Sequence, residues 1–82
     1  MDKRIAVISI IIEDMDSVSD VNDILHTYGE HIIGRMGIPY RDKGLHIICV
    51  VIDAEESTIS SVSGKLGMLR GVSTKTAIAK SK

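Results

Sequence analysis

Two stretches limit what this chain can fold into: Ile5–Ile12 and Leu45–Ile52. Each is an almost unbroken run of β-branched and aliphatic residues, the pattern of a strand buried on both sides. Along the first, Ile5, Val7, Ser9 and Ile11 alternate with Ala6, Ile8, Ile10 and Ile12. Along the second, Leu45, Ile47, Cys49 and Val51 alternate with His46, Ile48, Val50 and Ile52. Neither alternate set is a solvated face. A chain of 82 residues has enough helix to cover one side of a sheet, so the other side needs a cover from outside. The simplest is a second copy. The expectation is a homo-oligomer, a dimer or tetramer, with Ile8, Ile10 and Ile12 as candidates for the face that meets the partner.

The segments between the runs supply the helices. Ser17 has the chemistry of an N-cap, with Asp20 three residues on. Val18, Val21, Leu25 and Tyr28 then recur at helical spacing, which predicts a helix over 17–28 that stops at Gly29. His31–Ile38 reads as a strand thinned by Gly34 and Gly37. The stretch 39–44 reads as a turn with Pro39 at its start and Gly44 at its exit. After the second run, Ile59, Val62, Leu66 and Leu69 share one helical face. Gly71 opens a final strand over 72–79, and a basic tail occupies about 80–82. The order is β-α-β-β-α-β, an α+β ferredoxin-like arrangement. It implies a four-stranded antiparallel sheet, order 4-1-3-2, with two helices on one face and the two apolar runs at the centre. Residues 1–82 make one domain, with no internal linker or repeat.

Composition removes several function classes. Formal net charge is −1, so no global field draws the chain to nucleic acid or an anionic membrane. The charge is unevenly spread. Acids occupy 13–30 without a Lys or Arg, and Lys65, Arg70, Lys75, Lys80 and Lys82 follow without an acid. This reads as two solvated surfaces of opposite sign or, more sharply, as complementary contact between subunits. Phe and Trp are absent, so the aromatic platform that RNA-binding sheets of this topology use is missing. Direct nucleic-acid binding is not expected. The apolar runs are too short to cross a bilayer. Cys49 is the only cysteine, which rules out an internal disulfide and suits a reducing cytoplasm. His46 and Cys49 are three apart on one strand and point to opposite faces. With His26 and His31 elsewhere, no spacing suits a metal ion, and no cofactor is expected. No nucleophile elbow or framed acid pair is present, so the chain is not read as an enzyme.

One segment, GRMGIPYRDKG (34–44), combines glycine with positive charge. It does not have the order of a phosphate loop, because Lys43 precedes Gly44 and a strand follows. Arg35 is left unexplained by turn chemistry. It alternates with Ile33 and Gly37 at an edge, and Gly34 and Gly37 leave room beside it. An arginine there can hold a carboxylate of another copy or an anionic ligand, or be only an edge charge that discourages aggregation. Arg35, Gly34 and Gly37 are the ligand or interface candidates.

The stretches IAVISIIIED, YGEHIIGRMGIPYRDKG and GKLGMLRGVSTKTA resemble the small proteins known as iron-only hydrogenase system regulators. That resemblance implies an ACT-like fold, related to the C-terminal sensor domain of the nickel-responsive repressor. It also implies a non-enzymatic, oligomeric regulatory module that binds a small molecule or a protein partner. A rival expectation is a structural assembly factor for hydrogenase maturation that needs no ligand. The strand GRMGI places Arg35 and Gly37 where the nickel sensor has histidines, which speaks against nickel sensing. The turn EDMDS lacks the glycine and proline of amino-acid-binding ACT domains. A different small ligand at a subunit interface is the remaining expectation.

Overall fold

A computed structural model describes residues 2–80. Part of the expected basic tail, Ser81 and Lys82, lies outside the described residues. Four strands, β1 (Arg4–Ile12), β2 (Ile32–Tyr40), β3 (Leu45–Ala54) and β4 (Val72–Ile78), form one sheet. Its order is β2-β3-β1-β4 with every pairing antiparallel, the expected order read from the other edge. Two helices, α1 (Val18–Thr27) and α2 (Glu56–Gly67), lie on one face. None among the described residues is long and apolar enough to cross a membrane.

The two apolar runs are the central strands and pair residue for residue from Arg4–Ala54 to Ile12–His46. The even-numbered residues meet the helices. Ala6, Ile8, Ile10 and Ile12 from β1, with Ile48, Val50, Ile52 and Ala54 from β3, are at most 1% exposed. Val21 and Leu25 of α1 and Ile59, Val62 and Leu66 of α2 close over them. Ile8, Ile10 and Ile12, the expected partner-facing residues, are therefore core residues beneath the helices. Their 0% exposure leaves no surface for a second copy. The odd-numbered set is the one left open.

Two tight junctions differ from their expected chemistry. Ser17 stands before α1 but makes no capping hydrogen bond. Its Oγ donates instead to the Arg70 carbonyl at 2.6 Å. The cap is one turn earlier, where Asp14 accepts from the Asp16 N–H and starts a short 3-10 turn over Met15–Ser17. Beside it, the Glu13 N–H donates to the Gly71 carbonyl at 2.7 Å. Gly71 has a φ of +68°, and a Cβ there would sit 2.7 Å from the Asp14 Cβ and 2.9 Å from its backbone nitrogen. Only glycine fits this contact between the two halves of the chain. Gly29, the expected left-handed helix stop, is not in that conformation; it opens a 3-10 turn over Gly29–His31.

β2 runs two residues further than expected, through Pro39 to Tyr40, and the turn is Arg41–Lys43 closed by left-handed Gly44. Pro39 is tolerated because β2 is an edge strand. Near its start, pairing passes from Ile32–Ile52 to Gly34–Val51, so two residues of β2 span one of β3. The extra residue, Ile33, is 62% exposed. This bulge reverses which residues of β2 face the helices.

Candidate functional site

Two surfaces stand out, one on each side of the sheet. On the helix-free side, β1 presents Ile5, Val7 and Ile11, each 37–43% exposed. β3 adds Leu45, Ile47, Cys49 and Val51, all half-buried. Because of the bulge, β2 adds Met36, Ile38 and Tyr40 through pairs with Cys49, Ile47 and Leu45. A polar row interrupts this surface. Lys75 pairs with Ser9, and the Ser9 Oγ lies 4.0 Å from the Cys49 Sγ. Four strands about 4.8 Å apart, with about nine residues each, make a face of about 600 Å². Two such faces in contact bury about 1,200 Å², the lower end of a standard protein interface.

The second surface is a cleft between α1 and β2 on the helix side. The bulge puts Arg35 opposite Val50, whose side chain is buried beneath the helices. Arg35 is thus on the far side of the sheet from the open apolar face, not at its rim. Its Nη2 donates to the Asn22 Oδ1 of α1 at 2.8 Å. Asn22, Asp23, Leu25, His26, Gly29 and Ile32 line the cleft with Arg35, around a volume of about 520 Å³. Gly37 shares Arg35's side, whereas Gly34 pairs with Val51 toward the open face. No atom outside the neighbouring residues comes within 4 Å of a Cβ built at Gly34. One built at Gly37 meets only the His46 Nε2, at 3.7 Å.

Asn22 and Asp23 did not emerge from sequence reasoning, and His26 did so only as a metal ligand to be rejected. The signal was present: Asn22 and His26 are four apart, on one stripe of a helix, and that helix leads into the strand carrying Arg35.

His46 and Cys49 lie on opposite faces, opposite Ile12 and Ser9 respectively. His31 is 3.7 Å from Glu30, in the 3-10 turn that follows α1. Among the described residues, no three His, Cys, Asp or Glu side chains gather into a group able to hold an ion.

No curated protein matches the chain. A solved structure, that of the uncharacterized protein TM1266 from Thermotoga maritima, is similar throughout. It has a TM-score of 0.92 and 35% sequence identity, and the match covers 96% of this chain and 100% of that one. The family model described as "Iron-only hydrogenase system regulator, putative" matches residues 4–76. With the family model matched over residues 4–76 and the fold shared over nearly its whole length, the chain belongs to the TM1266-like family.

Proposed function

We propose that this chain is a non-enzymatic regulatory module of the cytoplasm, working as a homo-oligomer that responds to a small ligand or a protein partner. The carrying observation is the open sheet face, where Ile5, Val7, Ile11, Met36 and Ile38 are left exposed around the polar row of Lys75 and Ser9. Water against such a surface is unfavourable by roughly 25 cal/mol per Å². A second copy offers the same surface, and a two-fold axis brings the two together without any further partner. The family's description as a regulator supports the same reading.

Analytical ultracentrifugation of the wild type at micromolar concentration is expected to show a dimer or a larger closed assembly. Ile11→Asp, on the open face, is expected to remain folded by circular dichroism and to sediment as a monomer. A wild type that is monomeric throughout that range removes the proposal. Native mass spectrometry of the assembly then separates a ligand-bound sensor from an assembly factor that carries nothing.

A further inference from the structure

We propose that the cleft between α1 and β2 binds a short aliphatic monocarboxylate, with Arg35 as the residue that holds its carboxylate. This rests on the reading of the chain as a ligand-responsive module, but not on how its copies assemble.

The first observation is the bulge. Continued from the Ile32–Ile52 pair without it, β2 would send Arg35 to the open apolar face. The extra residue Ile33 moves Arg35 to the helix side instead. Bulges re-aim side chains in this way beside binding sites. The second observation is the state of the guanidinium. One nitrogen is tied to the Asn22 amide oxygen at 2.8 Å, which fixes the group but does not neutralise it. Among the described residues, the ion pairs within 4.0 Å are Arg4–Glu56 and His31–Glu30. Neither involves Arg35, whose side-chain hydrogen bond among the described residues goes to Asn22. A planar fork with remaining donors matches the two oxygens of a carboxylate.

The rest of the cleft narrows the class. Ile32, half-buried, is its apolar side, suited to a short alkyl chain, and Leu25 lies beneath it in the core. His26 adds a ring nitrogen. Asp23 is the selective element. Its negative charge in the same cleft opposes a second negative charge on the ligand, so dianions such as phosphate or succinate are disfavoured. One anionic group, one apolar tail and no second charge describe a ligand such as butyrate.

The test is an amide-resolved NMR titration of the assembled protein with butyrate, succinate and inorganic phosphate, up to millimolar concentrations. Butyrate is expected to give saturable shifts confined to the region of Asn22–His26 and Ile32–Gly37, with the two dianions binding at least about tenfold more weakly. Arg35→Lys is expected to weaken butyrate binding about tenfold or more, because a point charge does not replace the fork. Asp23→Asn is expected to narrow the gap between butyrate and succinate. Sedimentation of Arg35→Lys should match the wild type. Absence of saturable shifts with butyrate, equal binding of phosphate, or unchanged butyrate binding by Arg35→Lys overturns the proposal. Dispersal of the assembly by Arg35→Lys also overturns it and makes Arg35 an assembly contact. An intact wild-type oligomer that ignores butyrate removes this ligand class and leaves the regulatory oligomer standing.

Discussion

The two sides of the same two strands have opposite fates. Ile10 is 0% exposed beneath the helices, and Ile11, its neighbour in sequence, is 41% exposed on the other side. Ile48 and Ile47 differ in the same sense. The residue type is identical in each pair, so hydrophobicity does not decide which side becomes core. The partners decide it. α1 and α2 come down on the even-numbered side because their connections run to that side of the sheet. Isoleucine on the odd-numbered side lacks an intramolecular partner of that kind. Burial inside the chain is thus one solution to an apolar strand face, and association is the other.

That comparison breaks most sharply on a charge. Ile10→Asp is expected to unfold the protein. A buried, unpaired carboxylate costs several kcal/mol, comparable with a domain's whole reserve of roughly 0.05–0.15 kcal/mol per residue summed over its length. Far-UV circular dichroism checks this, and a folded Ile10→Asp contradicts the assignment of the even side as core. Set against Ile11→Asp, which should stay folded and lose only its copies, the two neighbours separate core from interface in one experiment.

A smaller change sharpens the contrast. Ile48→Val removes one buried methylene group and is expected to cost about 0.5–1.5 kcal/mol at any protein concentration. Ile47→Val, on the open face, is expected to cost less than about 0.5 kcal/mol when the protein is diluted to monomer. Its cost should grow as the concentration is raised and the copies associate. Urea melts at two concentrations measure both. Equal costs for the two variants at low concentration would mean that the open face is already covered within one copy.

The smallest expected effect is none. Thermal melts with and without a strong chelator are expected to coincide, because His26, His31, His46 and Cys49 do not converge on one point in the chain. A drop of several degrees on chelation would show that copies brought together share an ion across the open face or the cleft.

Much of the architecture was legible because it depends on run length and spacing. Two unbroken apolar runs could only be central strands, and Ile59, Val62 and Leu66 could only be one helical face. Parity was not legible: the polar residues of the central strands are divided, Ser9 and Asp53 being odd-numbered and Arg4 and His46 even-numbered. The bulge was not legible. Nothing in IIGRMG distinguishes a regular edge strand from one with an extra residue at Ile33, because the glycines permit both. Arg35 was therefore identified as a residue of interest and assigned to the wrong side of the sheet. Ser17 was misread for a related reason. A serine before a helix has the right chemistry for a cap, and only the tertiary approach of Arg70 diverts its hydroxyl.

The order of the strands also bears on the birth of the protein. β1 and β2, the first two strands made, do not touch; β3 separates them, and β4 takes the other side of β1. As the chain leaves the ribosome, the most apolar strand has no hydrogen-bonding neighbour until β3 follows it. It has only one until β4 arrives and the carbonyls of Arg70 and Gly71 reach Ser17 and Glu13. Neither half can mature by itself, because the pairing of the central strand is supplied wholly by the second half. These four strands are therefore committed to folding together, and the cell must keep Ile5–Ile12 from other company until β4 has been made.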